Sequence, residues 1–167
     1  MLLRHAKAVA PAHADDEAGD HGRDLAERGR REAAALGRIL QRDGMQPALA
    51  IVSSALRTRR SWELLAPFAA PEPQLVVSDR IYLAKAGELM AVLRETADDV
   101  ASVMLVGHNP GLHELALHLA QGDRTDSHDE ARLAQGLPTC TLVCFEVAGS
   151  WDELGPGSAS QLVLIRP

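Results

Sequence analysis

Three short apolar runs, Met1 to Leu3, Ala48 to Val52 and Val103 to Val106, constrain this chain most, because none of them alternates apolar with polar residues. A strand with one face in water must alternate, so unbroken apolar strands suit the middle of a sheet covered on both sides. Between the runs, apolar residues return at three- and four-residue intervals over Leu25 to Arg42, Ala55 to Leu65 and Gly87 to Thr96, the spacing of amphipathic helices. Strands alternating with helices predict an α/β fold, a three-layer α/β/α sandwich around a mostly parallel sheet with right-handed crossovers.

Further strands are expected at Gln74 to Ser78, Thr139 to Val147 and Gln161 to Ile165. The last two are placed to pair as a hairpin across the Gly/Ser/Pro-rich loop Ala148 to Ser160. Pro11 to Arg23 and Gly122 to Arg132 carry no apolar period and read as surface excursions. With 167 residues, 46% of them hydrophobic, and neither a repeat nor a linker, residues 1–167 are expected to form a single domain. Aromatic residues are only 3%, which predicts an aliphatic core.

The formal net charge of −6 argues against a nucleic-acid or anionic-membrane partner, since both reward a basic face. An anionic substrate would then need arginine concentrated locally. Cys140 and Cys144 share a face of one strand but are too far apart along it to bond, which suits a reduced interior. No apolar stretch reaches the roughly 20 residues of a membrane span and the start lacks a signal-peptide pattern, so a cytoplasmic location is expected. Met1-Leu2-Leu3 leaves little strand before the first charged pair, and one or more residues are expected upstream.

Each apolar run ends in residues suited to phosphate. Leu3 leads into Arg4-His5-Ala6-Lys7, Val52 into Ser53-Ser54-Ala55-Leu56-Arg57, and Val106 into Gly107-His108-Asn109-Pro110-Gly111. In an open parallel sheet all three clusters emerge at one edge, where such folds bind ligands. Ser53 or Ser54 is placed to cap a helix with Arg57 in its first turn, and Asn109 to cap another with Pro110 at the first helical position. Two helix N-termini and two guanidinium groups converging on one spot make an anion site. Singly, each residue has a plainer role: Arg57 adjoins Arg59 and Arg60 in what could be a solvated basic face, and His108 could simply cap the helix it precedes.

As a set, Arg4-His5-Ala6, Ser53-Ser54-Ala55-Leu56-Arg57-Thr58 and Val106-Gly107-His108-Asn109-Pro110 resemble the histidine phosphatase superfamily, and within it the small phosphohistidine phosphatase (SixA-like) branch. The resemblance implies a phosphoglycerate mutase-like fold. It implies His5 as the nucleophile that takes the phosphoryl group, Arg4 and Arg57 as its holders, and His108 as the residue completing the pocket. Arg23, Ser54 and Asn109 join Arg4 and Arg57 as candidate substrate-binding residues. Neutral imidazole is a competent nucleophile near neutral pH, and phosphoryl transfer asks mainly for positioning and charge stabilisation, so neither metal nor cofactor is expected.

Many superfamily members carry a carboxylate that protonates an alkoxide leaving group after the second motif. Here that region reads Val77-Ser78-Asp79-Arg80-Ile81-Tyr82-Leu83, in which Asp79 is equally well a strand-end turn residue. A missing acid suits a phosphohistidine in a signalling or phosphotransfer protein, whose protonated imidazole leaves readily. The alternatives are a phosphomonoesterase or mutase for small phosphate esters, needing Asp79, Glu88 or another carboxylate, and a phosphate-binding module without turnover. Ala6 stands where glycine is common elsewhere, as it does in the phosphohistidine branch.

Weaker signals read plainly. His113 and His118 are five apart and point about 140° away from each other on a helix, which does not suit zinc. Asp15-Asp16-Glu17 lacks the further spaced oxygens of a cation site. Arg23-Asp24-Leu25 with Gly29 also resembles the family, so Arg23 either lines the pocket or forms a surface salt bridge; Thr139 is expected to approach the site.

Overall fold

The computed structural model describes residues 1–11, 17–121 and 128–167. Six strands, β1 (Leu2–Arg4), β2 (Leu49–Ser53), β3 (Gln74–Ser78), β4 (Val103–Gly107), β5 (Leu142–Val147) and β6 (Ala159–Ile165), form one sheet in the order β3-β2-β4-β1-β5-β6. The first four are parallel, and β5 runs antiparallel to both β1 and β6. The three unbroken apolar runs are thus neighbours at the centre, with β2, β4 and β1 side by side.

Successive side chains of a strand point to opposite faces, so each central strand feeds two cores. Leu2, Leu49, Ile51, Val103 and Leu105 pack on one side against α4 (Ala86–Arg94) and α5 (Gly111–Leu119). Leu3, Ala50, Val52, Met104 and Val106 pack on the other against α2 (Glu27–Arg42) and α3 (Leu56–Leu65). The result is the expected three-layer sandwich with a mostly parallel sheet. Cys140 and Cys144 are buried free thiols. Among the described residues, no helix is long and apolar enough to cross a membrane.

Several expectations are corrected. The two segments read as excursions hold helices, α1 (Glu17–His21) and α6 (His128–Gln135). Both are too short to show a period. Strand β5 begins at Leu142 rather than Thr139, because Cys140 takes a left-handed φ of 56° and its N–H bonds to the Arg4 and His5 carbonyls. Neither serine caps α3, whose N-cap is Ala55, and α5 has Pro110 at its N-cap with no side-chain cap from Asn109. Those polar side chains are drawn instead into longer-range hydrogen bonds around the cleft.

Candidate active site

The ends of β1, β2 and β4 meet at one edge of the sheet. Here a cavity of about 340 Å³ is lined by Arg4, His5, Arg23, Arg57, His108 and Asn109, along with Lys7, Asp20 and Thr139. Among the described lining residues, four cationic side chains, Arg4, Lys7, Arg23 and Arg57, face one carboxylate, Asp20. An acidic chain therefore gathers four of its 17 lysines and arginines in this cleft. A larger cavity, about 770 Å³, opens near the opposite ends of the strands between Val100, Phe145 and Trp151, and no residue of the three motifs lines it.

His5 is held from several directions. Its N–H donates to the Gly107 carbonyl, and Ala6 N–H donates to Ser61 Oγ at 2.9 Å. The His5 Nδ1 lies 2.8 Å from the Ala6 carbonyl oxygen, which can only accept. In the neutral ring the proton therefore sits on Nδ1 and the lone pair on Nε2. Burial lowers the His5 pKa to about 4, reinforced by the charges of Arg57, Arg4 and Arg23 against the opposing Ala6 hydrogen bond. The unprotonated form is thus the resting form at neutral pH.

His108, whose ring centroid is 5.2 Å from that of His5, is 2.8 Å from Ser53 Oγ through Nε2. Its Nδ1 is buried with no partner among the described residues. Burial, with Arg57 and His5 next in effect, brings its pKa down to about 2. Burial and the neighbouring cations thus favour the neutral ring of His108.

Arg57 is 3% exposed. It spans the cleft to the 17–23 segment, Nη1 donating to the Asp20 carbonyl at 2.6 Å and Nη2 to Asp20 Oδ2 at 2.9 Å. Arg23 donates to Asp20 Oδ1 and to the Val9 carbonyl, so it both forms a salt bridge and lines the pocket. Arg4 Nη1 and Asn109 Nδ2 donate to the same carbonyl, that of Leu137. Ser54 is not among the cavity-lining residues; its Oγ is 2.9 Å from His21 Nε2. Thr139 lines the cavity as expected.

A close helix contact fixes the first motif. Ala26 N–H donates to the Lys7 carbonyl, and a Cβ added at Gly29 would overlap that same carbonyl oxygen. Only glycine lets α2 approach so near to His5.

Over 158 residues this chain is 32% identical to an uncharacterized protein of Mycobacterium tuberculosis, with 95% of each chain covered. No protein-family model matches. The solved structure of an Agrobacterium tumefaciens protein assigned as the phosphohistidine phosphatase SixA superposes with a TM-score of 0.78 at 27% identity, covering 99% of this chain and 96% of that one. The chain has the fold of the SixA-like histidine phosphatases and is similar to them along almost its whole length. A second SixA assignment, from Nakamurella multipartitia, shares the fold with a TM-score of 0.77 at 24% identity, over 97% of this chain and 94% of the other.

Within this SixA-like frame, the carboxylates singled out from sequence lie elsewhere. Asp79 opens a 3₁₀ turn at the end of β3, where Ser78 Oγ accepts from Arg80 N–H, and Glu88 accepts from the Lys85 N–H at the start of α4. Neither lines the cleft. Asp20 does, and sequence reasoning missed it; its one signal is the three-residue spacing to Arg23 on a segment without visible period. Burial by itself would raise the Asp20 pKa, but hydrogen bonds from Tyr82, Arg23 and Arg57 outweigh it and hold the carboxyl at about 2. Tyr82, also missed, donates to Asp20 Oδ2 at 2.8 Å and stands edge-on to the rings of His21 and His108. His113 donates through Nε2 to the Leu133 carbonyl, and among the described residues no cluster suits a metal ion. Asp15 and Asp16 lie outside the described residues.

Proposed function

We propose that this chain, acting as one domain over residues 1–167, is a phosphohistidine phosphatase for a phosphorylated signalling or phosphotransfer protein of the cytoplasm. The observation that carries this reading is the state of the one carboxylate in the described cleft. Asp20 is ionised and engaged by Arg23, Arg57 and Tyr82, so it has no proton to give an alkoxide. A protonated imidazole leaves without such help.

In the proposed reaction, His5 Nε2 attacks phosphorus while the substrate imidazole departs, so one P–N bond forms as another breaks. Arg4 and Arg57 hold the non-bridging oxygens, and His108, oriented by the contact of its Nε2 with Ser53 Oγ, stands beside the transferring group. Water then attacks the phosphorylated His5, releasing inorganic phosphate and restoring the neutral ring. The arginines and His108 supply the charge stabilisation, which makes the proposed chemistry metal-independent.

The test is phosphate release from a histidine-phosphorylated phosphotransfer protein and from simple phosphomonoesters, with wild type and His5→Ala in the presence of a chelator. Fast release from phosphohistidine, slow release from monoesters and loss of both in His5→Ala are expected. A preference for monoesters would overturn the reading.

A further inference from the structure

A second cavity, of about 510 Å³, adjoins the cleft and shares Arg4 and Asn109 with it. Thr141, His113, Arg132 and Arg166 also line it, and none of its described lining residues is acidic. Asp129, outside the lining, pairs with Arg132 at 2.9 Å and accepts from Leu164 N–H.

Its walls carry unused hydrogen-bonding capacity. Arg4 Nε, Asn109 Oδ1 and Thr141 Oγ1 are buried with no partner among the described residues, and Thr141 is only 2% exposed. Arg4 and Asn109 are shared with the cleft, whereas Thr141 belongs to this cavity and not to the cleft. Buried polar groups are normally paired, so their concentration marks a place built for a polar ligand. Arg4 Nε requires an acceptor, Thr141 can donate or accept, and Asn109 Oδ1 requires a donor. With Arg132 and Arg166 beside them, an oxyanion flanked by an N–H or O–H group satisfies the set.

We propose that this cavity is a second anion subsite, holding a carboxylate or phosphate of the substrate whose phosphoryl group occupies the neighbouring cleft. The inference rests on the phosphatase reading of that cleft. The anion could be an acidic side chain beside a phosphohistidine or a second acidic group on a small phosphate ester, and Arg4, common to both cavities, links the two sites.

The test uses two phosphohistidine peptides that differ by one flanking Glu or Gln, and two phosphomonoesters that differ by a carboxylate or its amide. In at least one pair, wild type should show a KM about tenfold lower for the acidic member. Arg166→Gln should reduce that advantage to below twofold and leave kcat on the neutral member within twofold. The pair that responds identifies the source of the anion. Equal KM values within both pairs, or an equal effect of Arg166→Gln on acidic and neutral members, would overturn the subsite. If wild type turns over none of the four, the phosphatase reading fails, and titration with inorganic phosphate followed by amide NMR decides the subsite separately. Two saturable sites, one moving the Thr141 and Asn109 amides and lost in Arg166→Gln, support it; a single site indifferent to Arg166→Gln overturns it.

Discussion

Asp20 and Arg57 are joined twice, through the Asp20 carbonyl and through its carboxylate, so a guanidinium that the proposed reaction assigns to the phosphoryl group already faces an anion. Phosphate entering the cleft must share Arg57 with that carboxylate or displace it. Asp20→Asn removes the competing charge. Inorganic phosphate is then expected to inhibit about tenfold more tightly, roughly 1.4 kcal/mol, with phosphohistidine turnover undiminished. Inhibition and turnover assays check this; a loss of about 10²-fold in turnover would instead make Asp20 a proton donor.

Arg57→Lys keeps the charge but not the planar fork, and a lysine cannot reach two oxygens with fixed geometry. A loss of about 10²-fold in kcat/KM is expected, the scale of removing one transition-state donor. Steady-state kinetics on a phosphohistidine substrate measures it.

The buried histidines set a pH dependence of stability. Both His5 and His108 have folded pKa values below the ordinary 6.5, at about 4 and about 2. Between pH 6.5 and 4 the unfolded chain therefore binds more protons than the folded one, so stability is full above 6.5 and falls as pH is lowered. The slope should approach about 1.4 kcal/mol per pH unit for each histidine. Denaturant melts at about pH 7, 6 and 5 would show it, and His108→Gln should flatten the slope.

Gly29→Ala is expected to destabilise the fold by about 1–3 kcal/mol, because its Cβ would collide with the Lys7 backbone. Activity should fall with it, since Lys7 lies two residues from His5. Gly87→Ala is the control: its Cβ meets nothing within 4 Å on α4, and a gain of about 0.5–1 kcal/mol is expected. Thermal melts of the two variants separate the cases.

The residues that converge on the cleft are legible in the sequence because each cluster stands directly after an apolar run. Apolar runs without alternation suit central strands, and parallel strands deliver the residues at their C-terminal ends to one edge. Arg4, His5, Arg57 and His108 are recognisable that way. The capping roles expected of Ser53, Ser54 and Asn109 fail because local sequence rewards an N-cap, whereas the fold offers those side chains His108, His21 and Leu137 as partners. Such partners are distant in sequence and leave no mark in spacing.

The sequence by itself determined the layered α/β architecture, the convergence of the central strands' C-terminal ends and the identity of the four residues gathered there, since periodicity and strand-end position are local properties. The tertiary structure alone decided that Asp20 lines the cleft with Tyr82 hydrogen-bonded to it, that burial disfavours the charged form of His108, and that Arg4 has a second cavity beside it. Those facts depend on burial and on contacts across many residues, such as the 62 that separate Asp20 from Tyr82, and both arise only once the chain has folded.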